Sequence, residues 1–159
     1  MSMTDNPPAV VDEDALIVRR TIRIAASIDK VWSAVTDPAH ISQWFGVTAL
    51  DGAGAGSTGT ITFPDYGDVP LRVEAIDEPH SVTYRWGNDD AADSRPDGID
   101  EATTTVFTFT LEPAGSGTQL TVVETGFENT SSPLANARDH GKGWTDELDK
   151  LVALLESGS

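Results

Sequence analysis

Only one stretch of this sequence can cover a sheet. Near the C-terminus Ala137, His140, Gly141, Trp144, Leu148, Leu151, Val152 and Leu155 recur every three or four residues, as one apolar stripe of a helix. The spacing predicts a helix over residues 133–156, about 35 Å long at 1.5 Å per residue. Most of the chain before it alternates with period two. Leu16, Val18, Ile22 and Ile24 share one face of a first strand, with Arg20 out of place among them. Further short strands are expected at 59–63, 71–76, 82–86, 103–111 and 119–127. Turn residues such as Asp77-Glu78-Pro79 and Pro113-Ala114-Gly115-Ser116-Gly117 separate them. An antiparallel sheet buries one face, and the C-terminal helix is the only element long enough to lie across it. The expected fold class is therefore α+β, a six- or seven-stranded antiparallel sheet wrapped around a long C-terminal helix. A twisted sheet closed on one helix tends to leave a space between them, where a ligand would sit.

Between the first and second strands Ser27 precedes Ile28, Val31, Trp32 and Val35 at helical spacing, a capped helix start. Asp37-Pro38 ends that helix, and a second short one is expected over 39–44. Residues 1–14 are polar, carry Pro7-Pro8 and show no period, so they read as a disordered leader to a single domain at 15–157. The glycine-rich run 51–57 has no lysine and no helix pattern after it, which makes it a turn and not a phosphate cradle.

Composition removes several function classes. The chain has no cysteine, which excludes thiolate nucleophiles, iron–sulfur clusters and thiolate zinc sites. A net charge of −16 opposes binding to nucleic acid and to anionic membranes, and no apolar run approaches a membrane span. With no basic, apolar signal at the start, a cytoplasmic location is expected. Asp89, Asp90, Asp93, Asp97, Asp100 and Glu101 read as a solvated loop. His40, His80 and His140 have no ligand spacing, so no metal is expected. Neither a Rossmann fingerprint nor a P-loop nor a nucleophile elbow is present, and no cofactor is expected.

The aromatic set carries more information. Trp32, Trp44, Phe45, Phe63, Tyr84, Trp86, Phe107, Phe109, Phe127 and Trp144 fall mostly on core-facing positions. Of these, Trp44, Phe63, Tyr84, Trp86, Phe109 and Trp144 are the expected lining of a ligand pocket. Gly141 and Gly143 beside Trp144 would thin the helix there, unless the regular helix begins only near Gly143. Glu124 shares its strand face with Leu120 and Val122, which makes it the main inward acid of the pocket. Buried without a partner, its pKa would rise into a range useful for acid–base work. Arg20 could instead pair with it in a structural ion pair. His140, one turn before Trp144, is a candidate at the pocket mouth, or else a capping or surface residue. Glu124 and His140 are thus the candidate catalytic residues.

Val31-Trp32-Ser33-Ala34-Val35-Thr36-Asp37-Pro38 and the following Trp44-Phe45 resemble the opening of the START-like (SRPBCC) superfamily. Glu124-Thr125-Gly126-Phe127 and the run Gly143 to Leu151 resemble the final strand and helix of one member family, the activator of heat-shock-protein-90 ATPase homologue-like proteins. The resemblance covers residues 16–156 and implies a helix-grip fold. It also implies one of three functions. The first is binding of a small apolar molecule between helix and sheet. The second is an interaction with a heat-shock protein 90-type chaperone, although the separate N-terminal domain of the eukaryotic namesakes has no counterpart in this sequence. The third is a cyclase- or hydrolase-like enzyme using Glu124 with His140 or Tyr84.

Overall fold

The computed structural model describes residues 6–52, 54–63, 67–87, 104–130 and 132–157. Eight strands form one antiparallel sheet: β1 (Val10–Asp12), β2 (Ile17–Ile24), β3 (Val47–Leu50), β4 (Thr58–Phe63), β5 (Gly67–Asp77), β6 (Ser81–Trp86), β7 (Thr105–Ala114) and β8 (Gly117–Thr125). Their order across the sheet is β1-β2-β8-β7-β6-β5-β4-β3. Helices α1 (Ile28–Thr36) and α2 (Pro38–Ile41) follow β2, and the long α3 (Pro133–Ser157) closes the chain. The sheet grips α3 as the periodicity predicts, in a helix-grip α+β arrangement. No helix is long and apolar enough to cross a membrane among the described residues.

Two strands are invisible to the period-two pattern. β3 is a four-residue edge strand, Val-Thr-Ala-Leu, whose Val47 is exposed on the rim of the sheet. β1 lies inside the segment expected to be a disordered leader. That expectation fails for residues 6–12 because they find partners on β2 and, across the core, on α3. Val11 pairs with Val18 in the β1–β2 ladder. The Asn6 side chain accepts from Arg23 N at 2.8 Å and donates to Arg23 O at 3.1 Å, standing in for a strand neighbour. Pro7 O accepts from Arg20 Nε at 2.8 Å, and Ala9 N donates to Thr145 Oγ1 on α3 at 2.9 Å. The run 89–101 lies outside the described residues.

The short helices are fixed by their ends. Ser27 Oγ accepts from Lys30 N at 3.3 Å, and Asp37 Oδ1 caps α2 by accepting from Ala39 N at 3.0 Å. The last carbonyls of α1 would otherwise be orphaned in the core. Instead Asp37 N reaches Ser33 O, Trp44 Nε1 donates to Ala34 O at 2.8 Å, and Tyr84 O–H donates to Val35 O at 2.6 Å. Residues 42–44, expected as helix, are turn.

Helix α3 runs unbroken through both glycines, so the regular helix does not begin at Gly143. A Cβ on Gly141 would lie 2.7 Å from Val11 Cγ2, so the missing side chain admits β1. A Cβ on Gly143 would meet nothing within 4 Å. Gly143→Ala should therefore raise stability by up to about 1 kcal/mol through helix propensity alone. Gly141→Ala should not share that gain, because Val11 must move. Urea midpoints should rank Gly143→Ala above wild type and above Gly141→Ala, and amide exchange at Val10–Asp12 should quicken only in Gly141→Ala.

Candidate functional site

The alternation of β8 turns Leu120, Val122 and Glu124 inward, and Glu124 is completely buried. Its carboxylate is surrounded by donors from three elements. Oε1 accepts from Trp144 Nε1 at 2.8 Å. Oε2 accepts from Trp86 Nε1 at 2.8 Å and from Thr105 Oγ1 at 2.6 Å. His140 Nδ1 lies 2.9 Å from both oxygens. Strand β6 supplies Trp86, β7 supplies Thr105, and α3 supplies His140 and Trp144, which face the same way because they are one turn apart. Both indole N–H groups in this part of the core thus end on one anion.

The chemistry of this acid differs from the expectation. Burial pushes its pKa up, but a charge on His140 and hydrogen bonds from His140, Thr105 and Trp86 outweigh burial and hold the carboxyl below its ordinary value. Glu124 is therefore an anion at neutral pH with its lone pairs in use, which does not suit a general acid. Arg20 is not its partner. The buried guanidinium turns to the backbone and side chains of α3, donating to Trp144 O at 3.4 Å, Thr145 O at 2.9 Å and Asp149 Oδ1 at 2.7 Å. Tyr84 is also apart from Glu124, since its hydroxyl is bound to Val35 O and burial pushes its phenol up. His140 is neither a cap nor a surface residue. Its side chain is 10% exposed, with its ring edge-on to Trp86 at 5.7 Å and to Phe127 at 5.1 Å.

The structure brings Trp44, Phe63, Tyr84, Trp86, Phe109 and Trp144 into one connected cluster of rings. Trp144 lies 5.9 Å from Trp86 and 5.7 Å from Phe109, and Trp44 lies 6.4 Å from Phe109. Phe63 and Tyr84 join through Trp86 at 6.1 Å and Phe109 at 6.4 Å. Two further rings take the space beside the indole of Trp144: Phe107 at 5.1 Å and Phe45 at 5.4 Å. The space expected beside Trp144 is filled by these rings. A cavity of about 10 Å³, the room of one water, remains where Phe45, Tyr84, Phe107 and Phe109 meet. Of the expected lining it touches Tyr84 and Phe109 but not Trp44, Phe63, Trp86, Glu124 or Trp144. Phe45 stands out in the sequence as a core aromatic beside Trp44, but in a turn without periodicity nothing marks it for the pocket lining. Thr105 has no signal either, being one threonine among several on its strand. Arg72 and Arg85 lie on the outer face of the sheet against Glu74 and do not reach the rings. On the surface, α1, α2 and the end of α3 frame an open groove of about 470 Å³ floored by Leu154 and Leu155.

Replacing Glu124 by Gln keeps the shape but points an amide N–H₂ into a ring of donors. Breaking a buried pair in this way should cost about 3 kcal/mol or more, read as a fall in the urea midpoint. The acid limb of stability should change too. A carboxyl whose folded pKa lies below its unfolded value takes up protons on unfolding. Its stabilisation is complete above about pH 4.5 and is lost as pH falls through the folded value. Between pH 4.5 and the acid transition, wild type should lose stability more steeply than Glu124→Gln.

The sequence profile described as "Activator of Hsp90 ATPase homolog 1-like protein" matches residues 25–156. No curated protein matches the chain at a significant level of similarity. Among solved structures, DynU16 from the dynemicin biosynthetic locus is 25% identical with a TM-score of 0.70, over 90% of this chain. This chain spans about half of DynU16, 48% of its length. Protein MLL2253 of Mesorhizobium loti is also 25% identical, with a TM-score of 0.70 over 90% of this chain and 98% of that one. The Aha1 dimer of Colwellia psychrerythraea, 22% identical over 90% of this chain and 98% of its own, shares the fold with a TM-score of 0.69. With its gripped helix, its aromatic interior and a profile match over most of its length, the chain belongs to the family of activator of Hsp90 ATPase homolog 1-like proteins, in the START-like (SRPBCC) superfamily.

Proposed function

We propose that this protein binds a small apolar molecule between α3 and the sheet, among the rings around Trp144. The observation that carries the reading is the make-up of this interface. Trp144 packs against Phe45, Trp86, Phe107 and Phe109, so around this indole the core is built of flat rings, whereas Leu148 and Leu151 carry the rest of the helix on aliphatic chains. Flat aromatic walls offer large apolar area with few rotamers to freeze. A ligand burying roughly 300 Å² of apolar surface would gain several kcal/mol at about 25 cal/mol per Å², less its lost freedom. The net charge of −16 disfavours polyanions, so the ligand is neutral or weakly charged. Glu124 serves this reading as a fixed point of the wall, holding Trp86 and Trp144 by their N–H groups. An acid–base enzyme reading is less well supported, because Glu124 is held ionised. A cytoplasmic location is part of the proposal.

The uncharged fluorophore N-phenyl-1-naphthylamine provides the test. Its fluorescence should rise on titration with the protein, tryptophan emission should be quenched in step, and the melting temperature should climb with probe concentration. Trp144→Phe should remove most of the quenching while leaving the thermal shift. Absence of both signals in wild type defeats the proposal.

The family match supports a second reading, modulation of a chaperone ATPase. Adding the protein to a heat-shock protein 90 should then change its rate of ATP hydrolysis at stoichiometric ratios. No co-sedimentation and no change in rate removes this reading.

A further inference from the structure

The ring that fills the centre of the proposed pocket does not come from the helix or the sheet. Phe45 is carried by the turn between α2 and β3, yet it is only 8% exposed. It stacks on Trp44 at 4.9 Å with an interplanar angle of 11°. Its other neighbours are Trp144 at 5.4 Å, Phe63 at 5.5 Å, Trp86 at 5.6 Å and Phe107 at 6.2 Å. The small cavity opens directly beside it.

The backbone on either side of Phe45 is fixed. Trp44 is held by its N–H bond to Ala34 O. Gly46 lies so close to β4 that a Cβ would stand 2.8 Å from Ile61 Cγ1 and 2.9 Å from Thr62 O. The turn is thus pinned before and after a single side chain.

From this geometry we infer that Phe45 is the gate and stand-in of the ligand site: ligand binding requires its ring to rotate outward about χ1, and the ligand takes its slot. The inference rests on the proposed binding of an apolar molecule at this interface. It also assigns the ligand class. The vacated slot is walled by Trp44 on one face and by the tilted rings of Trp86 and Trp144 on the other, with no unengaged polar group of Glu124 turned to it. It therefore suits an uncharged, planar aromatic group of one or two rings. The carbonyl of Ala34 and the backbone of β4 hold the walls still while the ring moves, so the site opens without unfolding an element. Binding is correspondingly penalised by the contacts Phe45 gives up, and trimming the ring removes that penalty.

N-phenyl-1-naphthylamine again serves as the probe, with the full-length protein. Phe45→Leu, which keeps an apolar residue at the turn, should bind it at least tenfold more tightly than wild type and with a faster association rate. Phe45→Ala should move further in both if its circular dichroism shows it folded. In wild type, saturation with the probe should abolish nuclear Overhauser contacts between the rings of Phe45 and Trp144. If the probe binds wild type and Phe45→Leu with equal affinity and rate, or if the Phe45–Trp144 contacts persist at saturation, the gate is wrong and the binding site survives. If it binds neither protein, both the gate and the site fall.

Discussion

A carboxylate with no access to water sets the terms for this fold. An ionised group left alone in an apolar core would cost several kcal/mol and would take up a proton instead. Glu124 avoids that cost only while Trp86, Thr105, His140 and Trp144 all aim at it. Those donors stand on two strands and on α3. The charge therefore specifies the rotation of the helix on the sheet. Hydrophobic packing alone would tolerate neighbouring rotations, since one apolar ring can replace another. Hydrogen bonds to an anion do not allow this, because a turn of the helix would strand the anion among aromatic edges.

A second charge completes the constraint. Arg20 and Glu124 both point inward from the neighbouring strands β2 and β8, where Arg20 stands opposite Val122. They engage α3 through different groups. Glu124 takes the side chains of His140 and Trp144, while Arg20 takes Thr145 O and Asp149 and also holds Pro7. One buried anion and one buried cation thus clamp the helix, each satisfied by local partners and not by the other. The N-terminal segment is ordered as a consequence, because a buried guanidinium with donors to spare recruits a backbone carbonyl from residues that have no hydrophobic period of their own.

With the helix clamped, the interface has little freedom to open by moving elements. What freedom exists lies in side chains that no regular element carries. Phe45 is the clearest case, a ring on a turn inserted among rings on strands and helix. In the proposed site, a fixed frame around one displaceable side chain would put selectivity in the shape of the slot and not in charge.

Much of the architecture was legible in the sequence by itself. Period two in residues 16–24 and 119–127 and the three-to-four spacing from Ala137 to Leu155 determine strands, helix and the inward face, because one-sided burial imposes those periods on any such element. The same argument places Trp86, Phe109, Glu124 and Trp144 inside. The strands β1 and β3 were not legible, being too short to show a period and ordered by the neighbouring strands β2 and β4 they pair with. Neither was the choice of partner for each inward charge. Arg20 and Glu124 both face in, and alternation cannot say that each bonds different groups of α3 and not the other. That is decided by the crossing of a helix over a sheet, a long-range geometry in which His140 is brought to 2.9 Å from a residue on a different element. Tertiary structure alone therefore decided that Glu124 is a satisfied anion and not a lone acid, because a pKa depends on what surrounds the group in space.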